Sequence, residues 1–280
     1  MGILYVVATP IGNLGDISNR ALEVLNSVDL IACEDTRTSS VLLKHFNINK
    51  KLVSYHKFNE IGKSSSLIND LKEGKNIALI SDAGCPCISD PGSILVHDAI
   101  INNIDVYAIP GASATITSLM SSGMDTSSFT FYGFLDRENK KIRDSLEMIK
   151  KDSSKIAIIY ESPKRIIKTL EIVGEVLNNP NVCLCNDLTK KFEKKYYGKV
   201  NEVLTLLKEN PNSELGEYVL LVEKEEVKKE RIEYSLEALI VDEMIKNNCT
   251  MKDAIKLVSD KYKINKNVVY DASLNLKNKF

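Results

Sequence analysis

Short apolar runs alternate with stretches whose apolar residues recur every three or four positions, and this alternation fills most of the chain. Leu4–Ala8, Leu30–Cys33, Leu52–Ser54, Ile77–Ile80 and Val106–Ile109 read as buried strands. Between them, Asn19–Asn26 behind a Ser18 cap, Thr38–Phe46, Gly62–Lys72, Ser93–Asn102 and a segment ending near Ser122 have helical spacing. Strand and helix in strict turn predict a mainly parallel sheet covered on both faces. The second half repeats the alternation, with strands at Phe129–Leu135, Lys155–Tyr160, Val182–Asn186, Tyr196–Val200 and Tyr218–Glu223. Helices are expected at Ile142–Lys150, Ile166–Leu177 and up to Lys208. The pattern therefore predicts an α/β protein of two α/β/α domains, 1–125 and 126–226.

Residues 227–280 change character. An amphipathic stretch at Leu236–Ile245 is followed by Met251–Tyr262 behind a Thr250 cap, a brief Ile264–Asn265 turn and Lys266–Leu276. Helix, helix, short turn, helix outlines a helix-turn-helix-like third domain. An ordinary three-helix packing module has the same outline.

The chemistry gathers in the loops that leave the strands, where open α/β sheets bind ligands. After Ile77–Ile80 comes Ser81-Asp82-Ala83-Gly84-Cys85-Pro86-Cys87-Ile88-Ser89-Asp90-Pro91-Gly92, whose two prolines and two glycines fix an irregular path. The first strand leaves through Thr9-Pro10-Ile11-Gly12-Asn13-Leu14-Gly15-Asp16, which is neither GxGxxG nor GxxxxGK[ST]. The second opens into Glu34-Asp35-Thr36-Arg37, whose bland reading is a helix cap with a local ion pair. Pro110-Gly111-Ala112-Ser113-Ala114 begins a helix with small residues, so its free N–H groups can be approached closely. His56 is a candidate base by residue type alone.

A net charge of −1 conceals segregation: −5 over residues 1–136, +6 over 137–199, −5 over 200–226 and +3 over 227–280. The basic residues after strand exits suit a polyanion as well as a solvated face. The six cysteines stand at 33, 85, 87, 183, 185 and 249. A four-thiolate site built from the two Cys-x-Cys pairs is conceivable, but it lacks the C-x-x-C spacing of ordinary zinc sites, so reduced thiols and no metal are expected. No apolar run reaches bilayer length, and Met1–Val6 reads as a strand rather than a charged leader, so a cytoplasmic protein without a membrane partner is expected.

In order along residues 1–224, the motifs Thr9–Asp16, Glu34–Arg37, Ser81–Gly84 with Ser89–Gly92, Pro110-Gly111 with Ser113-Ala114, Tyr160-Glu161-Ser162-Pro163 and Leu188-Thr189-Lys190 resemble the tetrapyrrole methylase superfamily of class III S-adenosylmethionine methyltransferases. Within it, the chain is similar to the branch acting on the ribose 2′-hydroxyl of a cytidine in the decoding region of 16S ribosomal RNA, and the tail resembles that branch's helix-turn-helix. The resemblance implies S-adenosyl-L-methionine as cofactor, bound between the two domains, the small ribosomal subunit as partner, and a homodimer. Carried over by motif, Pro10, Ala83, Gly84, Cys85, Ser113, Ala114, Glu161, Cys185 and Glu217 would line the cofactor cleft. The chain departs from the pattern at Cys85 (usually Thr), Lys164 (usually His) and Cys185-Asn186-Asp187 (usually Ala-Arg-Glu).

Moving a methyl group to a ribose hydroxyl asks for a base and for a cation that steadies the developing alkoxide. Asp35 and Glu193 are the candidate bases, and Arg37 and Lys190 the candidate cations. Lys164, Arg165, Lys191, Lys194 and Lys195 are the candidate RNA contacts. Two alternatives use the same residues: methylation of a small tetrapyrrole, and a ligand-sensing DNA-binding regulator.

Overall fold

The computed structural model describes residues 1–224 and 235–277. Met1–Glu226 form one compact unit and Val227–Phe280 another. The first unit contains two five-stranded sheets.

The first sheet comprises β1 (Leu4–Val7), β2 (Leu30–Cys33), β3 (Lys51–Ser54), β4 (Ile77–Ile80) and β5 (Val106–Ile109), in the order β3-β2-β4-β1-β5 and parallel throughout. Alternate strand residues feed opposite cores. Leu30, Ala32, Ile77 and Leu79 pack with Leu67, Leu71 and Leu95 of helices α3 (Glu60–Lys72) and α4 (Ser93–Ile101). Ile31, Cys33, Ala78 and Ile80 pack with Ala21, Leu25 and Leu43 of α1 (Asn19–Ser27) and α2 (Thr36–His45). Burying each such Leu or Ile is worth about 1.5–3 kcal/mol. Helix α2 starts two residues before the expected Thr38, because the Asp35 carboxylate accepts the N–H of Arg37 and caps it there.

The second sheet comprises β6 (Phe129–Phe134), β7 (Ile156–Glu161), β8 (Asn181–Asn186), β9 (Lys194–Lys199) and β10 (Tyr218–Glu223), in the order β6-β7-β10-β8-β9. The simple alternation expected of this half is modified here: only β6 and β7 are parallel, and the remaining pairs are antiparallel. Strand β9 begins two residues before the expected Tyr196, so Lys194 and Lys195 belong to an edge strand rather than to a loop. Helices α6 (Asn139–Lys151), α7 (Ile166–Val176) and α8 (Val200–Glu209) cover one face. The other face, through Ile156, Ile158, Cys183, Cys185, Val219 and Leu221, packs on Ile11 and on Leu119 of α5 (Ala114–Met120). This shared core is what makes the two lobes one compact unit. We propose that they divide at residues 125/126, where the chain passes from one sheet to the other.

The C-terminal unit has its own core of Ile240, Ala254, Ile255, Val258, Val269 and Ala272, contributed by α9 (Leu236–Asn247), α10 (Met251–Tyr262) and α11 (Lys266–Lys277). Ser235 and Thr250 cap α9 and α10, and left-handed Asn248 and Lys263 end them. Among the described residues no helix is long and apolar enough to cross a membrane.

Candidate active site

The loops leaving β1, β4 and β5 meet at one edge of the first sheet. Thr9 and Gly84 exchange backbone hydrogen bonds of 2.8 and 3.1 Å, and the Thr9 hydroxyl donates to Ser81 O at 3.2 Å. The Cys85 thiol donates to Ala112 O at 3.5 Å. Gly111 lies so close to β1 that a Cβ there would stand 3.0 Å from the Ala8 Cβ. The structure thus brings together Pro10, Ala83, Gly84, Cys85, Ser113 and Ala114. Gly84 has φ +77°, and Cys87 and Ser89 are also left-handed, so the β4 loop follows a path few sequences adopt. Helix α5 has only seven residues, and the Ser113 hydroxyl takes up the Ile116 N–H, which replaces the open helix start expected there.

The second lobe closes on this edge. The Tyr160 hydroxyl lies 2.8 Å from that of Thr115. The Asn13 N–H donates to Thr189 Oγ1 at 3.1 Å, and a Cβ on Gly12 would stand 2.4 Å from Lys190 Cγ. Lys190 is held by Asp187 at 2.9 Å and Glu217 at 3.2 Å. Burial opposes its charge, but these two carboxylates outweigh that and raise its pKa.

The remaining predicted residues separate by what already occupies them. Asp35 is both the α2 cap and an ion-pair partner of Arg37 at 2.6 Å; the Arg37 hydrogen bonds hold its carboxyl at about 2. Glu193 pairs with Lys195 at 2.6 Å and accepts the Thr189 N–H, and both contacts keep it below the usual range. Carboxylates held this low are weak bases at neutral pH. Glu161 is buried, accepts from the Ser162 N–H and the Thr169 hydroxyl and pairs with Arg165 at 3.2 Å, so its carboxylate is occupied from inside the lobe. Arg165 also donates to the carbonyls of Leu135 and Asp136, which fixes it as an internal brace. Cys185 is fully buried, 3.8 Å from Cys183 in the apolar seam between the lobes. Lys164, Lys191 and Lys194 are exposed. His56 serves its own turn, its Nδ1 accepting the Phe58 N–H. Among the described residues no group of three or more metal-binding side chains comes together, and the cysteines are free thiols.

Sequence reasoning picked out the β4 loop but passed over Asp90 within it. Burial, with Glu34 next in weight, pushes the Asp90 carboxyl up to about 6. Its neighbour Ser89 has its hydroxyl 3.2 Å from where a Cβ on Gly133 of β6 would stand, which sets this part of the loop against the second lobe. Burial likewise raises Glu34 and Asp82. A carboxyl flanked by prolines and glycines, Asp90-Pro91-Gly92, was the available signal.

Strand-end loops of the parallel sheet thus face a second α/β lobe. The crystal structure of uroporphyrin-III-C-methyltransferase from Thermus thermophilus shares this fold, with a TM-score of 0.56 and 18% identity over 80% of this chain and 95% of that one. That of diphthine synthase does so with a TM-score of 0.63 and 14% identity over 80% and 90%. The model of the Tetrapyrrole (Corrin/Porphyrin) Methylases matches residues 3–204, and the chain belongs to that family. It is 43% identical over 274 residues to ribosomal RNA small subunit methyltransferase I of Halalkalibacterium halodurans, covering 96% of this chain and 94% of that protein. With the Bacillus subtilis protein of the same name the identity is 42%, covering 97% and 94%.

The cofactor is S-adenosylmethionine, and the residues present suit it. Gly84, Gly111 and Ala112–Ala114 keep side chains small at the meeting point of the loops, while Glu34, Asp82 and Asp90 provide negative charge for a cationic sulfonium.

Proposed function

We propose that this methyltransferase acts on the ribose 2′-hydroxyl of a cytidine in the decoding region of 16S ribosomal RNA, in the cytoplasm and as a homodimer. The observation that carries the reading is identity of about two residues in five, over nearly the whole length, with proteins named ribosomal RNA small subunit methyltransferase I. Two basic tracts and a helical tail support it, since a small tetrapyrrole would need neither.

Pro10, Ala83-Gly84-Cys85 and Ser113-Ala114 would hold the donor. The buried Glu161 and Cys185 would contribute by shaping the wall, and Glu217 by holding Lys190. When bound, the cofactor supplies a methyl group already activated by its sulfonium charge. The chain's task is then alignment, which is worth up to about 7–11 kcal/mol of a barrier. Asp90, in the segment of the β4 loop that Ser89 sets against Gly133 of the second lobe, would receive the ribose hydroxyl proton, and its pKa of about 6 suits a base near neutrality better than the suppressed carboxyls of Asp35 and Glu193. Arg37 and Lys190 steady the developing alkoxide. Lys164, Lys191 and Lys194 hold the RNA, while the ion-paired Arg165 and Lys195 brace the contact surface.

Incubation with labelled S-adenosylmethionine and naked 16S RNA, assembled small subunits or uroporphyrinogen tests the reading. Label recovered as 2′-O-methylcytidine is the expected result. Label on uroporphyrinogen with none on RNA would overturn it.

A further inference from the structure

Beside the Tyr160 contact with Thr115, the second lobe has an open hollow of about 910 Å³ lined by Phe134, Asp136, Arg137, Glu138, Glu161 and Lys164 among others. That volume falls within the range of small-ligand sites, roughly 300–1,000 Å³. Its aromatic wall is specially made. The register of β6 against β7 slips between Phe131 and Gly133, and Gly133 takes φ +65°. Such a bulge re-aims the following side chain, and Phe134 is left 60% exposed. Its ring meets Tyr160 edge-on at 5.6 Å, with Phe131 supporting Tyr160 at 4.7 Å from another side. Phe134 thus lines the hollow and touches Tyr160, whose hydroxyl meets that of Thr115.

The charges of the hollow are unevenly committed. Glu161 is consumed by Arg165, and Asp136 and Glu138 both pair with Lys141. Arg137 and Lys164 are exposed and have no ion-pair partner among the described residues. What remains is a rigid aromatic face with two uncommitted cations at its rim.

We propose that this hollow seats one unstacked nucleotide of the RNA strand, its base against the Phe134 ring and its flanking phosphates on Arg137 and Lys164. Stacking on an aromatic side chain with cations tracking the backbone is how proteins grip single strands. The seat would keep the strand unstacked next to the position where the ribose hydroxyl must meet the methyl donor. This rests on the ribosomal RNA reading above.

The test uses the full-length protein with S-adenosylmethionine, a fluorescent single-stranded RNA oligonucleotide followed by anisotropy, and donor affinity by calorimetry. F134A is expected to weaken RNA binding roughly 10-fold, within the range for loss of one stacked base. F134Y should restore it to within about 2-fold, and donor affinity should stay unchanged in both. R137A/K164A should flatten the dependence of log affinity on log salt by about 0.7 per cation removed. Wild-type RNA affinity in F134A, or equal loss of RNA and donor binding, would overturn the seat. So would loss of uroporphyrin binding alone, which would assign the hollow to a tetrapyrrole. Transfer to small subunits by F134A at an unchanged KM would remove the seat and leave the ribosomal RNA reading standing. A wild-type protein that neither methylates nor binds RNA would end both.

Discussion

Thr115 and Tyr160 stand on different lobes, and their hydroxyls share a 2.8 Å hydrogen bond. Thr115 follows directly on the Ser113-Ala114 pair, and Tyr160 is the penultimate residue of β7 in the mixed sheet, so this bond ties the donor loops to the second lobe. Y160F keeps the ring and its contacts with Phe131 and Phe134 but leaves the buried Thr115 hydroxyl without that partner. We expect a loss of about 1 kcal/mol in urea unfolding, together with weaker donor binding by calorimetry. Unchanged values in both experiments would mean that the bond contributes nothing to closure.

Glu161 is a carboxylate whose partners all lie within its own lobe. Two hydrogen-bond donors and the Arg165 guanidinium converge on it in a buried setting. E161Q keeps the size but removes the charge facing Arg165, and should cost roughly 1.5–3 kcal/mol of stability. Thermal unfolding measures this directly. A contribution through donor contact alone would instead leave unfolding unmoved and lower donor affinity.

Asp90 makes stability depend on pH in an identifiable window. Its folded pKa of about 6 lies above the ordinary 3.8, so the native state holds this proton more tightly than the unfolded chain does. Stability from this group is full below about pH 4, falls as pH rises towards about 6 and is flat above that. The gap of about two pKa units corresponds to close to 3 kcal/mol for a fully buried group, reduced to about 1 kcal/mol by the solvent that reaches this one. D90N should therefore gain on the wild type by about that amount between pH 4 and pH 7 in parallel urea titrations. A constant difference across the range would rule out Asp90 as the titrating group. The same variant should lose methyl transfer if Asp90 is the proton acceptor.

The C-terminal unit carries its own apolar core. Deleting residues 227–280 should leave donor affinity intact while RNA capture weakens several-fold, the tail's net +3 having been removed. Calorimetry and filter binding on the same preparation separate the two effects. Parallel loss of both would show that the tail is needed to complete the donor site.

The order of strands, loops and helices was legible because hydrophobic periodicity is local, and so was the gathering of chemistry at strand exits. The pairing in the second half was not. The antiparallel neighbours of β10 are β7 and β8, so its partners lie dozens of residues away, and nothing in a six-residue apolar run states its direction. A side chain whose partner is a backbone atom is harder to read from sequence. Arg165 carries the residue type of an RNA contact, yet carbonyls at Leu135 and Asp136 claim it. The Asp35–Arg37 pair was legible as a cap, being two residues apart. Asp90 was not singled out, because its raised pKa depends on Glu34 and on burial that only the folded loops create.

Strand β9 lies at the margin of its sheet with Lys194, Lys195 and Lys199 along it and Tyr197 half exposed. Charged side chains on an open margin discourage another chain from adding a strand there. The same lysines would thus protect the protein from aggregation as well as attract nucleic acid. A scan that neutralises them to map RNA contacts would also expose a bare β-edge, and loss of binding would then have to be distinguished from self-association by light scattering on each variant.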